Sequence, residues 1–476
     1  MNDDIQLAWS FNRPWVSSRE PEEQPVYAVV RLTPNPALTQ QSVNVNLALV
    51  LDTSGSMHNF QLTDEQKRYW LAIAEARGEV SVGYADGQVT RFWRGQTLQE
   101  IQRIARKPIT LAAEAIRGLM ARLSPGDTVS LTAFATGAEL LFPKPFSFEG
   151  PAEMESALQQ MESGQLIPTL GSGTRMAGAI ELAREQLQRS GPLNAVKRMI
   201  VVSDGMVEDR EETLNNFERV KDDNIRVTTI GVGDAFDEEF LTKVADNCQG
   251  EYHYLTHADQ IAQTLAEEFA VLKATVVRNI EVAFAARNDA TLVDVHQCLP
   301  SFRTIEEMWV EGDWTRVRVG DLSVGQSIGL ILEIAPATLR EGEHTVITVR
   351  VGWDPCGPTA AFSPQRNEME RSLKLIYTRE QQLLETKNHE VEDLIDRFFV
   401  YRAEREAARA QQRGDLATAS ERLRHATRIL RRLGEPQLAR EFETQAAALE
   451  SNAALDPSRV KGLKAKTRRL GQRQTA

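Results

Sequence analysis

Residues 43–56 read VNVNLALVLDTSGS, and this stretch decides the architecture of the chain. Its first part is almost entirely apolar, which is typical of a strand buried on both faces of a parallel sheet. The strand stops at Asp52 and runs directly into TSGS, so the pattern Asp-x-Ser-x-Ser starts at its carboxyl end. Gly55 gives the backbone the freedom to turn the carboxylate and the hydroxyls of Ser54 and Ser56 towards one point.

Two further motifs follow at positions where they can reach the same edge of a sheet. Gly171-Ser172-Gly173-Thr174 is a flexible loop just before a predicted helix, and Ser203-Asp204-Gly205 ends the apolar strand RMIVV. Ligands of open parallel sheets bind at the carboxyl ends of the strands, where these loops are expected. Carboxylate and hydroxyl oxygens suit a hard divalent cation, Mg²⁺ first, with Mn²⁺ or Ca²⁺ as alternatives.

Taken in order, DTSGS, GSGT and SDG resemble the three loops of the metal-ion-dependent adhesion site of von Willebrand factor A domains. The resemblance covers residues 43–275 and implies a divalent cation bound through hydroxyls, with two carboxylates contacting it directly or through water. It also implies a free coordination position for a carboxylate from a protein partner. The metal ligands that the resemblance implies are Asp52, Ser54, Ser56, Thr174 and Asp204.

The rest of residues 43–275 alternates apolar strands with amphipathic helices, which predicts an α/β fold with a doubly wound, mostly parallel, Rossmann-like sheet. Residues 57–106 interrupt this order with a predicted helix, a hairpin turning at Asp86-Gly87 and a second helix. We interpret this segment as an insertion beside the metal loops. Its aromatic side chains either contact a partner or pack the insertion itself, and they are Tyr69, Trp70, Tyr84, Phe92 and Trp93.

The flanking regions predict a second architecture around this domain. Residues 276–378 alternate in β-strand fashion without helices, and the strands of residues 1–42 are expected to complete the same β-sandwich, with the α/β domain inserted into it. Residues 379–450 predict a helical hairpin or small bundle, with breaks at Gly414-Asp415 and at Leu433-Gly434-Glu435-Pro436. The tail at 451–476 is basic, and we interpret it as a solvated segment or as a docking strip for an acidic partner or an anionic surface.

Composition restricts the possible functions. The 476 residues include 67 acidic and 55 basic side chains, and a net charge of −12 argues against nucleic-acid binding. Three scattered cysteines predict reduced structural thiols. The amino-terminal sequence lacks the features of a secretory signal, and no apolar run is long enough to span a membrane, so a cytoplasmic location is expected.

These observations favour a metal-dependent protein-binding or scaffold module over an enzyme. One alternative is a regulatory subunit of an AAA+ ATPase of the chelatase kind, which would need a partner because the chain has no P-loop. Another is a metal-assisted hydrolase with His58, beside Ser56, as its base. The oligomeric state is left open by the sequence.

Overall fold

The computed structural model describes residues 4–20, 24–38, 43–62, 64–85, 88–143, 150–189, 195–305, 307–356, 366–451 and 457–474. The chain forms two compact units. Residues 43–273 make up one unit, and residues 1–42 together with 274–476 make up the other.

Three strands open the chain: β1 (Ile5–Phe11), β2 (Trp15–Ser17) and β3 (Val26–Pro34). β1 and β3 were predicted, and they pair antiparallel over the whole length of β1. β2 was not predicted, since three residues are too few to show an alternating pattern.

The unit of residues 43–273 has the predicted alternation of strands and helices. Short 3₁₀ turns at Gly55–His58 and Ala258–Gln260 join some of them. The strands are β4 (Val45–Asp52), β5 (Val80–Ala85), β6 (Gln88–Trp93), β7 (Thr128–Phe134), β8 (Ala138–Phe142), β9 (Val196–Ser203), β10 (Arg226–Val232) and β11 (Tyr252–Leu255). The helices are α1 (Asp64–Arg77), α2 (Gly95–Ile104), α3 (Pro108–Met120), α4 (Gly150–Glu162), α5 (Ile167–Leu170), α6 (Ala177–Arg189), α7 (Arg210–Asp222), α8 (Glu238–Asn247) and α9 (Ile261–Lys273).

The main sheet of this unit has the strand order β11-β10-β9-β4-β7-β8. Neighbouring strands are parallel except β7 and β8, which pair antiparallel as a hairpin. β4 lies in the interior of the sheet and all its residues are buried, which explains why they are apolar apart from Asn46 and Asp52. The α/β fold with a mostly parallel sheet is therefore confirmed.

The insertion contains the predicted helix, hairpin and helix as α1, β5–β6 and α2. β5 and β6 pair only with each other among the described strands. The insertion has a small core of its own, because Leu62, Ile101 and Ala105 are buried together with Trp70 and Trp93 packed against them. The predicted turn at Asp86-Gly87 lies outside the described residues.

The second unit continues after α9 with a series of strands. They are β12 (Thr275–Ala286), β13 (Thr291–Leu299), β14 (Arg303–Thr304), β15 (Trp309–Glu311), β16 (Trp314–Ser323), β17 (Ile328–Ala335), β18 (Gly342–Pro355) and β19 (Asn367–Thr378). One sheet has the order β1-β3-β17-β13-β14, and the other has the order β15-β16-β12-β18-β19-β2. A single hydrophobic core takes side chains from both sheets, among them Val30 and Leu332 from the first and Val282 and Val349 from the second. The strands of both sheets pair antiparallel except β19 and β2, which are parallel. Two such layers around one core are the arrangement of a β-sandwich.

β19 is a long strand that we did not predict. Its sequence, NEMERSLKLIYT, is rich in charge, which hides the alternation of buried Met369, Leu373, Leu375 and Tyr377. The period of two was present, but the exposed charged residues between these positions masked it.

The predicted helical region follows as α10 (Gln381–Leu384), α11 (His389–Gln412), α12 (Leu416–Arg432) and α13 (Pro436–Glu450). The predicted breaks are correct: Gly414 and Gly434 have positive φ angles of 78° and 73° where α11 and α12 end. Pro436 occupies the first turn of α13, where its missing N–H costs no helical hydrogen bond.

The interpretation of residues 451–476 as a solvated tail was wrong for residues 457–474, whereas the alternative of a docking strip stays a prediction. Residues Pro457–Arg468 form helix α14, and a 3₁₀ turn follows at Leu470–Gln474. Leu463 and Leu470 are buried in the same core as Phe398 and Phe442, and apolar burial therefore holds the segment in place. The two leucines indicate a buried face, but this is hard to recognise among the many basic residues of the segment.

Candidate metal centre

Asp52 is the buried centre of the candidate site. It ends β4, and its side chain is fully enclosed. Oδ1 accepts the backbone N–H of Ser54 at 2.8 Å, and Oδ2 accepts the hydroxyl of Ser203 at 2.6 Å. The loop after β4 is tied to β7 as well, because the N–H of Thr53 donates to the carbonyl of Phe134 at 2.7 Å. The carboxylate is thus held in one orientation at the edge of the sheet.

The two serines of the first motif point to the second carboxylate. Oγ of Ser54 and Oγ of Ser56 lie 3.1 Å apart, and Ser56 donates its hydroxyl proton to Oδ1 of Asp204 at 2.6 Å. Ser54 is buried, whereas Ser56 is exposed, so the site opens to solvent on the side of Ser56.

Thr174 completes the set from the loop before α6. Its hydroxyl lies against the backbone next to Asp204, since a Cβ placed on Gly205 would be only 2.5 Å from Oγ1 of Thr174. The absence of a side chain at Gly205 therefore leaves the space that this hydroxyl occupies. The structure brings together all five of the predicted ligand residues.

The site holds two buried carboxylates, and their surroundings raise the pKa of both. Burial, partly offset by hydrogen bonds from Ser203 and Ser54, raises the pKa of Asp52. Burial and the charge of Asp52 raise the pKa of Asp204 to about 7, although the Ser56 hydroxyl acts in the opposite direction. A cation between these carboxylates would stabilise both in the ionised form.

The donors fit a hard divalent cation. Two carboxylates and three hydroxyls form an all-oxygen set of the kind that Mg²⁺, Mn²⁺ and Ca²⁺ accept. Within the described residues, no group of three or more His, Cys, Asp or Glu side chains is arranged to hold a metal. A cation at this edge would therefore depend on the hydroxyls of Ser54, Ser56 and Thr174 as well as on the acids.

Sequence reasoning missed the residues that hold these ligands in place. Ser203 was quoted only as part of a motif, yet it donates to Asp52. Glu208 accepts the N–H of Thr174 at 3.1 Å, and the carboxylate of Asp209 accepts the N–H groups of Met176 and Ala177 at the start of α6. Acids four and five residues beyond Asp204 were the available signal, but only the fold shows what they contact.

The imidazole of His58 lies close to Gly164. A Cβ placed on Gly164 would be 3.9 Å from Nδ1 of His58, so the imidazole packs beside the turn that contains Gly164. Burial and the nearby charge of Lys107 lower the pKa of His58 to about 4, and Nε2 is buried with no hydrogen-bond partner.

The insertion aromatics separate into different environments. Trp70 and Trp93 pack against the core of the insertion. Tyr69 is 60% exposed and meets Trp70 edge to face, with ring centroids 5.3 Å apart. The backbones of Tyr84 and Phe92 lie in β5 and β6, and their side chains lie outside the described residues.

The comparisons with known proteins identify two parts of the chain. A model of the von Willebrand factor type A domain matches residues 102–268, and a model named Sll0103-like, C-terminal alpha-helical domain, matches residues 389–473. The first match begins at residue 102, near the end of the insertion. The structure places β4, which precedes the Asp-x-Ser-x-Ser loop, in the same sheet as the matched strands. The chain therefore contains a von Willebrand factor A domain followed by a carboxyl-terminal helical domain.

Similar proteins share this organisation at low sequence identity. The protein named uncharacterized protein sll0103, from Synechocystis sp. (strain ATCC 27184 / PCC 6803 / Kazusa), is 22% identical over 73% of this chain and 81% of its own length. A von Willebrand factor type A structure from Catenulispora acidiphila aligns over 98% of both chains at 17% identity, with a TM-score of 0.72. The ArnB paralog VWA2 from Sulfolobus acidocaldarius aligns over 98% of this chain and 99% of its own at 15% identity, with a TM-score of 0.53. The two structures establish the shared fold.

Proposed function

We propose that this protein is a metal-dependent protein-binding module whose von Willebrand factor A domain holds a divalent cation, Mg²⁺ in the first place. Von Willebrand factor A domains generally mediate protein–protein interactions. The observation that carries the proposal is the convergence of Asp52, Asp204 and the hydroxyls of Ser54, Ser56 and Thr174 at one sheet edge. These residues would hold the cation, and the cation would supply a Lewis-acidic contact for a partner.

The charge of such a site selects the chemistry of the partner. Two ionised carboxylates and one divalent cation sum to zero, and the hydroxyls add no charge. The cation therefore still attracts an anionic oxygen. Ser56 is exposed beside buried Ser54, so the accessible side of the site lies towards solvent. We infer that a partner presents a carboxylate there.

We propose that the protein binds a partner and does not turn over a substrate. His58, the histidine next to the first loop, packs beside Gly164, and burial with the charge of Lys107 lowers its pKa to about 4. A reaction would require a base within hydrogen-bond reach of a bound water or substrate. A cytoplasmic location remains part of this proposal. No described helix is long and apolar enough to cross a membrane.

The insertion is the proposed source of partner specificity. The two ends of the insertion are joined, because the N–H of Gln61 donates to the carbonyl of Arg106 at 3.2 Å. The insertion is also tied to the rest of the domain, because the side chain of Gln61 accepts the N–H of Ala258 at 3.0 Å. Tyr69 presents an exposed aromatic ring, a side chain that often anchors interfaces. We propose that the insertion forms a wall beside the metal and that a deletion of residues 60–104 removes partner selection. A folded deletion variant that keeps its partner would refute this role.

The decisive experiment is capture from native lysate by the purified protein, with Mg²⁺ and then with EDTA. The protein, D204A and D259N are compared, since Asp259 is an exposed acid of the same domain outside the three loops. We expect a partner captured with Mg²⁺ by the protein and by D259N, and lost with EDTA or in D204A. Capture that ignores EDTA and D204A would contradict the proposal. Turnover of generic ester or phosphate substrates that disappears in H58A would support a hydrolase instead.

A further inference from the structure

The loop that carries Thr174 is held between two neighbouring loops. On one side, the N–H of Gly173 donates to Oγ1 of Thr136 at 3.0 Å, and the N–H of Arg175 donates to the carbonyl of Ala135 at 2.7 Å. On the other side, Glu208 from the loop after β9 accepts the N–H of Thr174. Three successive amides of this segment are thus satisfied from outside it.

Glu208 makes a two-way contact with Thr174. Its Oε1 accepts the N–H of Thr174 at 3.1 Å, and its own N–H donates to the carbonyl of Thr174 at 2.9 Å. Thr174 is buried, so an amide left without a partner there would be costly. Because Glu208 lies four residues beyond Asp204 on the same loop, this contact couples the backbone of Thr174 to the backbone that carries Asp204.

The side chains of Glu208 and Thr136 fill the space next to Gly173. A Cβ on Gly173 would lie 2.6 Å from Oε1 of Glu208 and 2.9 Å from Oγ1 of Thr136. Any side chain at this position would push the carboxylate of Glu208 or the hydroxyl of Thr136 away. The motif Gly-Ser-Gly-Thr is thus matched to acceptors from two other loops.

We propose that Glu208 is the positioning residue of the metal centre. It sets the Thr174 hydroxyl against Asp204 by accepting the Thr174 amide, and this role rests on the proposed metal-binding function. Glu208 acts through the backbone of Thr174, by hydrogen bonding. Its negative charge is not required, because a neutral amide oxygen can accept the same N–H.

The test compares E208A with E208Q, which keeps the acceptor oxygen and removes the charge. Glu208 is exposed, so both variants are expected to fold. E208Q should keep the native melting temperature, whereas E208A should lower it by the loss of one hydrogen bond to the buried Thr174 amide. Mn²⁺ affinity is measured by calorimetry, and hydrogen exchange of the Thr174 amide is measured in the metal-free protein. We expect E208A to bind Mn²⁺ about tenfold or more weakly and to exchange faster at Thr174, as loss of a supporting partner usually does, while E208Q stays close to the native protein in both.

Equal loss of Mn²⁺ affinity in E208A and E208Q would show that charge matters and would overturn the proposal. Unchanged exchange and affinity in E208A would overturn it as well. G173A provides an independent variant, expected to weaken Mn²⁺ binding and speed Thr174 exchange by displacing Glu208. If the native protein binds no Mn²⁺, the metal-binding function fails, and the exchange measurement still decides whether Glu208 holds Thr174.

Discussion

The hydroxyl of Ser56 donates a 2.6 Å hydrogen bond to Oδ1 of Asp204, although the two residues are 148 positions apart in the chain. The fold brings them together because β4 and β9 are adjacent parallel strands that end at the same sheet edge. The contact shows that the first and third loops of the candidate centre meet in the folded domain. Predictions about the site can therefore be made for individual side chains.

Replacing Asp204 with asparagine should separate metal binding from folding. Burial and, after it, the charge of Asp52 raise the pKa of Asp204 to about 7. We expect D204N to stabilise the metal-free protein at pH 8 by about 1 kcal/mol or more, and to remove the rise in melting temperature on adding Mg²⁺. Thermal unfolding with and without Mg²⁺ measures both effects. A D204N variant that is still stabilised by Mg²⁺ would show that the cation binds elsewhere.

Adding a methyl group at Gly205 should displace the Thr174 hydroxyl, because the new Cβ would lie 2.5 Å from it. We expect G205A to weaken Mn²⁺ binding by about tenfold or more, judged by calorimetry. G118A is the matched control, since its Cβ would meet nothing within 4 Å in helix α3. It should leave Mn²⁺ affinity unchanged and stabilise the protein by about 0.5–1 kcal/mol. Native affinity in G205A would mean that Thr174 is not a ligand.

The buried carboxylate of Glu268 on α9 should make stability depend on pH. Burial would raise its pKa, but the hydrogen bond and charge of His253, with Arg198 and Thr228, outweigh that effect and lower the pKa to about 2. Because the folded value lies below the ordinary value, the ionised form stabilises the protein above about pH 4.5, and this contribution is lost as pH falls towards 2. The difference in unfolding free energy between the protein and E268Q should therefore shrink over that interval in urea titrations. A difference that is constant with pH would contradict the assignment.

The carboxyl-terminal segment should contribute to stability as part of a core. Leu470 is fully buried, and we expect L470A to lower the free energy of unfolding by about 2–5 kcal/mol. K466A is the control, because Lys466 and Glu441 form a surface ion pair whose loss should cost about 1 kcal/mol or less. Chemical denaturation of both variants gives the comparison. Equal stabilities of L470A and the native protein would favour the solvated tail.

Tyr69 and Trp70 should behave differently although they are adjacent. W70A removes a ring from the core of the insertion and should increase hydrogen exchange in α1 and α2. Y69A removes an exposed ring, so exchange should stay the same, while capture of the partner weakens if the insertion contacts it. Capture that is unaffected by Y69A would limit these aromatics to packing.

Much of the fold was predictable because its signals are local. The apolar run ending at Asp52 identified a central strand, and Gly414 and Gly434 marked the helix ends through their left-handed backbone. The two leucines of the last segment and the buried positions of β19 were harder to recognise. Charged neighbours lower the average hydropathy of such segments even when one face is buried.

The sequence by itself determined which residue types stand at the ends of the strands: Asp52 with its two serines, Thr174 and Asp204. Only the tertiary structure decided that they converge, that Ser203 and Glu208 hold them, and that His58 packs beside Gly164. The physical reason is distance along the chain. Local propensity sets a strand or a turn, whereas a hydrogen bond between loops depends on strand order and register, which are set by burying the whole sheet between its helices.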